Sequence, residues 1–118
     1  MRVTPSQFDL LGKLLDAASL RHRVIAQNVA NVNTPGYHRL DVAFETALDQ
    51  ELGKGEANVA KLTPSVVEVS GGTMRDDGNN VDIDAEMGRL NKNTLLFNVY
   101  TQILASKMAA MRSAIAGR

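Results

Sequence analysis

The strongest constraint on the fold is a regular spacing of apolar residues toward the C-terminus. From position 83 to 115 they recur at alternating steps of four and three, the heptad spacing that keeps one stripe of a helix against a partner helix. This C-terminal seam, interrupted by two threonines, consists of Ile83, Met87, Leu90, Thr94, Phe97, Thr101, Leu104, Met108, Met111 and Ile115. An N-terminal seam with the same steps consists of Leu11, Leu15, Ala18, His22, Ile25, Val29 and Val32. The spacing predicts two long helices that pack against each other or against neighbouring molecules.

The first helix is predicted over residues 5–32 and ends at a well-defined stop. Pro35 cannot continue a helix, and Pro35-Gly36 suits the centre of a type II turn because glycine accepts positive φ. Asparagines just before this turn can hydrogen-bond the exposed backbone. The predicted turn set consists of Asn28, Asn31, Asn33, Thr34, Pro35, Gly36 and Tyr37.

Residues 33–81 predict an irregular arm with short elements. Phe44, Leu48 and Leu52 are spaced for two or three helical turns, and 65–70 reads as a short β-branched strand. A polar turn precedes the second long helix, predicted over 82–116; this pre-helix set is Asp77, Gly78, Asn79, Asn80 and Asp82. Asp84 and Glu86 follow in the first helical turn, where carboxylates favour the positive end of the helix dipole.

Composition narrows the function. The 118 residues suit one domain, and 13 basic against 13 acidic residues give no reason to expect nucleic acid or an anionic membrane as a partner. Without cysteine the chain can form no disulfide and no thiolate metal site. Few aromatic residues are available to line a pocket, so neither a small-molecule substrate nor a cofactor is expected. No stretch approaches the roughly 20 apolar residues that span a bilayer.

Candidate chemical sites have simpler structural interpretations. His22 has no second ligand at metal spacing, and a histidine packed between helices is the expected outcome. The acidic turn at 76–84 lacks the glycine and glutamate positions of a calcium loop whether counted from Asp76 or from Asp77. No nucleophile–base set is present, so no catalytic or metal residues are predicted.

The segment from Asn28 to Tyr37, at the end of a long N-terminal helix, resembles the motif of the bacterial flagellar rod and hook proteins. The Asp77–Asp82 stretch directly before a heptad helix, and the short total length, are similar to the short subunits of the proximal rod. Two types of these short subunits, B and C, are alike. The segments Asp77–Asp82 and Met111–Ile115 favour the B type.

The resemblance implies a structural subunit of the flagellar basal body. Such proteins are exported by the flagellar type III apparatus without a cleaved signal peptide and assemble helically into the periplasm-spanning rod. Implied partners are other rod subunits, further copies of the chain, membrane-ring and rod-base proteins, and the export apparatus. The rod transmits torque from the membrane ring to the hook.

The expected fold is mainly α: residues 8–32 pack on 83–115 as an antiparallel coiled coil, joined by the arm, which contacts neighbouring subunits. The seams are expected to carry assembly. The alternative function is a cytosolic helical-bundle adaptor that binds a partner helix through the same seams.

Overall fold

The fold is mainly helical, as predicted. The computed structural model describes residues 5–54 and 57–117; positions 1–4, 55, 56 and 118 of the predicted single domain lie outside that part. The described elements are, in chain order, α1 (Pro5–Ala30), β1 (Leu40–Ala43), α2 (Glu45–Leu52), a 3₁₀ turn (Val59–Lys61), β2 (Ser65–Glu68) and α3 (Ile83–Ala116).

The two long helices pack antiparallel. Near one end the Asn28 side chain donates from Nδ2 to Glu86 Oε2 over 3.2 Å. Half-way along, Asn93 Nδ2 donates to the Ala18 carbonyl over 2.7 Å. Ala18 is only 1% exposed, and its small side chain lets α3 approach the α1 backbone closely. This arrangement confirms the antiparallel pair, while regular coiled-coil packing stays a prediction.

A second apolar face of α1 holds the arm. Ala17 and Val24, seven residues apart, are buried with Val42 and Phe44 of the arm. Leucines from α1, β1, α2 and the following loop pack around this core; they are Leu14, Leu20, Leu40, Leu48 and Leu62. The first helix is therefore apolar on two sides, with α3 on one and the arm on the other.

The arm is more regular than the sequence indicated. Strands β1 and β2 pair antiparallel, with Leu40 opposite Glu68 and Ala43 opposite Ser65. The predicted strand and short helix are both present. The sequence did not predict β1, because its four residues include one β-branched side chain, Val42, whereas β2 has two in succession. The short elements of the arm pack against α1 around a buried Phe44, a contact that the sequence did not predict.

The second long helix begins where the sequence predicted. Asp82 Oδ1 accepts hydrogen bonds from the backbone N–H groups of Asp84 at 3.0 Å and Ala85 at 3.2 Å, as an N-cap does. At the other end Gly117 takes a positive φ of 73°. Lys107 lies opposite Gln7, with 3.4 Å from Nζ to Oε1, and α3 continues past it to Ala116. Those nine further residues add about 13 Å of helix.

The molecule is elongated, with principal extents of 64 × 29 × 15 Å. Among the described residues, neither long helix combines the length and apolar character needed to cross a membrane.

Candidate functional site

Five polar side chains meet where α1, the arm and α3 come together. This polar cluster consists of Asn28, Arg39, Asn79, Asn80 and Glu86. All five are buried, and Asn28, Asn79 and Glu86 have no exposed surface. Buried polar groups are costly unless they are hydrogen-bonded, so their partners decide what the cluster does.

Asn28 joins the first helix to both other parts. Its Oδ1 accepts from the Leu40 backbone N–H at 2.8 Å and from the Tyr37 hydroxyl at 2.9 Å. Its Nδ2 donates to the Leu40 carbonyl at 2.8 Å and to Glu86 Oε2. One amide thus uses its full bonding capacity to fix the start of β1 and the first turn of α3 to α1.

Glu86 balances buried positive charge rather than merely favouring the helix dipole. Arg39 Nε donates to its Oε1 over 2.7 Å, and Arg89 donates to the same oxygen over 2.9 Å. Arg39 also lies 3.7 Å from Asp41. Removing one member of such a pair leaves an uncompensated charge, so the pair makes the position of α3 against the arm specific.

Asn79 bonds the turn that follows the first helix, although it lies far away in sequence. Its Nδ2 donates to the carbonyls of Asn31, Val32 and Thr34 at 2.9, 3.1 and 2.8 Å. Its Oδ1 accepts from the Val81 backbone N–H at 2.8 Å. These three residues follow the last residue of α1, so the segment just before α3 holds the turn at the end of that helix in place.

Asn80 ties the same segment to the sheet. Its Oδ1 accepts from the Arg39 backbone N–H at 2.6 Å, and its Nδ2 donates to the Val69 carbonyl at 2.8 Å. Arg75 donates to the Val81 carbonyl at 2.9 Å and to the Val32 carbonyl. The pre-helix segment is thereby bonded to the end of α1 on one side and to the arm on the other.

The predicted turn at residues 34–37 is present. The Tyr37 N–H donates to the Thr34 carbonyl over 3.2 Å, and Gly36 has a φ of 73°. The Gly36 N–H donates to the Asp77 carbonyl over 2.8 Å, and a Cβ on Gly78 would lie 3.6 Å from Gly36 Cα. Two glycine turns therefore contact each other directly, and both have the positive φ that favours glycine.

The other residues of the predicted turn sets have smaller roles. Asn31 Nδ2 donates to the Gln27 carbonyl over 2.8 Å, and Thr34 Oγ1 donates to Asn31 Oδ1 over 3.1 Å. Asn33 and Pro35 are exposed.

The surroundings of Tyr37 shift the pKa of its phenol. Burial, and then the nearby charge of Glu86, raise the pKa of its phenol above the ordinary value of 10.0, although Arg39 acts in the opposite direction. The hydroxyl therefore stays protonated and continues to donate to Asn28 at neutral pH.

The N-terminal seam lies largely in the interior. Leu11, Ala18 and Ile25 are buried, and Leu15 and Val29 are half-buried. His22 is exposed, so the expectation that it packs between helices is wrong. His22 lines a groove between α1 and α3, together with Phe97.

The C-terminal seam lies mostly beside the α1 contact rather than in it. Leu90 and Leu104 are half-buried. The exposed members include Met87, Phe97, Met108, Met111 and Ile115. The residues of lowest exposure on α3 follow a line displaced by about one position; they are Glu86, Leu90, Asn93, Leu96, Tyr100, Leu104 and Lys107. Because this line contains three polar residues, a search for apolar spacing passes over it.

Arg39, Arg75, Glu86 and Asn93 were not predicted as site residues. Glu86 and Asn93 stand at steps of four and three with Leu90, which was the available signal for a shared face. Nothing in the local sequence marks Arg39 or Arg75, since their partners are distant along the chain.

Within the described residues no cluster of histidine and acidic side chains could hold a metal ion. The polar cluster has its donors and acceptors committed to bonds inside the chain. Its arrangement is suited to holding the two long helices and the arm in one relative position.

Comparisons with known proteins agree on one family. A family model described as "Flagella basal body rod protein" matches residues 15–38, the second half of α1 and the following turn. A flagellar basal body rod protein FlgB from Borrelia hermsii is 32% identical, covering 89% of this chain and 92% of the relative. Proteins of the same name from Bacillus subtilis (28% identical, 91% of each chain) and Salmonella typhimurium (25%, covering 87% and 88%) are also similar.

Proposed function

The chain belongs to the flagellar basal body rod protein family, and we propose that it is a structural subunit of the proximal rod. The carrying observation is a match to FlgB proteins along nearly the whole chain, through both long helices. That match agrees with the B type of short rod subunit that the sequence resembled.

The geometry supports a structural role through the polar cluster. A subunit that transmits torque must keep its helices and arm in one arrangement under load. Side-chain bonds from Asn28, Asn79 and Glu86 connect all three parts, and buried ionic and amide networks favour one arrangement over compact alternatives.

The exposed seam supports assembly. Met87, Phe97, Met108, Met111 and Ile115 are each at least 40% exposed along one helix. Contiguous exposed apolar surface of this kind marks a protein-contact site. We propose that these residues pack on helices of neighbouring rod subunits, as a coiled coil, and that this burial favours incorporation into the rod.

Family membership supports the finer assignments, which we propose as follows. The chain works without catalysis, reaches the rod through the flagellar type III export apparatus without a cleaved signal, and contacts rod-base and membrane-ring proteins as well as other rod subunits. Its location is the basal body, in the part of the rod that crosses the periplasm.

The test is to tag the chain in the flagellated bacterium that encodes it, extract basal bodies with detergent, and measure its recovery with rod and membrane-ring proteins. Recovery in constant proportion to the other rod proteins, with loss of swimming on deletion, is expected. A soluble folded chain that stays in the cytosol and is absent from basal bodies would instead support the helical adaptor.

A further inference from the structure

The middle of α3 has a composition unsuited to water. Positions 93–106 contain no Asp, Glu, Lys or Arg, between Lys92 and Lys107. A soluble surface is usually about 25–35% charged, so a solvated helix of this length would carry several charges. Yet Leu95 is 65% exposed and Val99 and Ile103 are 42% and 40% exposed. The uncharged composition of this run is typical of a buried helix, yet these three apolar side chains are exposed.

The exposed apolar residues fall on two separate flanks of the helix. At about 100° per residue, the C-terminal seam lies on one side of the line facing α1. Leu95, Val99 and Ile103, four residues apart, lie on the other side and form a second stripe. A polar line made of Asn91, Asn98 and Gln102 separates the two on the face away from α1. Of the three apolar faces of α3, α1 covers one, and the C-terminal seam and the second stripe form the other two.

We infer that α3 of a second copy covers the second stripe, with the C-terminal seam of one copy packed against the second stripe of the next. This inference rests on the proposed rod function and identifies one subunit contact within it. Each α3 would then lie between α1 of its own chain and the α3 helices of two neighbours.

The exposed surfaces of the two long helices favour another α3 over α1 as the occupant. The exposed positions of α1 include Asp16, His22 and Arg23, and among its described side chains no large apolar residue is exposed. The C-terminal seam of α3, which includes exposed Met87 and Phe97, is an apolar stripe. Both halves of the contact are therefore present on the same helix, and the seam-to-stripe contact extends the existing helix packing sideways.

Charge argues against a closed two-fold pair. An antiparallel pairing of two second stripes centred on Val99 would bring Lys92 of one copy beside Lys107 of the other. Seam-to-stripe packing avoids this because the two copies of Lys92 lie on different faces. A contact between two different surfaces of identical subunits can repeat from copy to copy, and it gives a helical array when the rotation between copies does not close a ring.

Each contact is small, since three side chains fall well short of the roughly 1,200 Å² that a stable complex buries. The free chain is therefore expected to stay monomeric when dilute and to form the contact only within the assembled rod.

Because the chain has no cysteine, every disulfide that joins two copies must form between introduced thiols. The double variant Val99→Cys/Thr101→Cys places one thiol in the second stripe and one in the seam. They lie about 160° apart around the helix and cannot join within one chain. After oxidation of purified basal bodies with copper phenanthroline, non-reducing electrophoresis should show a ladder of trimers and larger species. The matched control, Asn91→Cys/Asn98→Cys, has both thiols on the polar line and should stay monomeric.

Recovery of wild-type chain in basal bodies is measured first, because its absence contradicts the rod function itself. Recovered chain that gives no ladder, a ladder equal to that of the control, or cross-links to a different protein would overturn the contact while leaving the rod function intact. If the double variant is not recovered in basal bodies, the contact is tested by comparing the incorporation of Leu95→Asp with that of Asn98→Asp. Loss of incorporation only for Leu95→Asp supports the contact, and equal incorporation overturns it.

Discussion

Replacing Asn79 with alanine tests the polar cluster at the point where the segment before α3 is bonded to the turn after α1. The side chain has no exposed surface, donates to three carbonyls of the turn that follows α1 and accepts one bond from Val81. Its two N–H groups and one carbonyl oxygen provide three bonds' worth of interaction, each contributing about 1 kcal/mol net. Asn79→Ala should therefore lower the free energy of unfolding by about 2–4 kcal/mol, since partners left buried cost more and partners reached by water cost less.

The assay is urea unfolding followed by circular dichroism, with Asn33→Ala as the control. Asn33 lies in the same turn but is exposed, so its loss should change stability by less than about 0.5 kcal/mol. Asn79→Asp should destabilise at least as much as alanine, because a carboxylate would face three carbonyl oxygens. If Asn79→Ala unfolds within about 0.5 kcal/mol of wild type, the argument that Asn79 stabilises this turn is refuted.

Three further predictions address the cluster and the turn. Arg39→Met removes the nearest cation of Glu86; because Arg89 still donates to the same oxygen, the loss should be about 1.5–3 kcal/mol, as for a hydrogen bond to a charged group. Glu45→Gln, at the exposed end of a pair with Arg21, should cost under about 1 kcal/mol in the same urea assay. Tyr37 should ionise above pH 10, seen as the ultraviolet difference between wild type and Tyr37→Phe; since its folded pKa is raised, its contribution to stability is complete below the unfolded value and lost as pH rises through the folded one. An ordinary phenol titration would contradict the burial. Gly36→Ala, at a φ of 73°, should destabilise by about 1–2 kcal/mol, while Gly12→Ala, in a helix with open space around it, should stabilise by about 0.5–1 kcal/mol; calorimetry that found equal effects would contradict the turn geometry.

Helix positions and helix ends could be predicted from the sequence because their causes are local. Pro35 and Gly36 determine the stop of α1, and Asp82 caps α3 through bonds to residues two and three positions away. The short helix after Phe44 and the strand at Ser65 were likewise visible in local spacing and in β-branched composition.

The arrangement of the polar residues could not be predicted, because their partners are far apart along the chain. Arg39 and Glu86 are separated by 47 residues, and Asn79 lies 48 residues from the Asn31 carbonyl to which it donates. The face of α3 that meets α1 was also ambiguous. A helix that is apolar on several sides allows more than one heptad line, and the polar residues on the true contact line weaken its signal.

The most direct test of the account compares Phe97→Asp with Asn98→Asp in the encoding bacterium. These neighbours are both exposed, one in the seam and one on the polar line, so both chains should fold, which circular dichroism of the purified proteins checks. The account predicts that Asn98→Asp is recovered in basal bodies at wild-type level and supports swimming, while folded Phe97→Asp is excluded and the cells do not swim. Equal recovery of the two variants would contradict the claim that the exposed seam of α3 drives assembly into the rod.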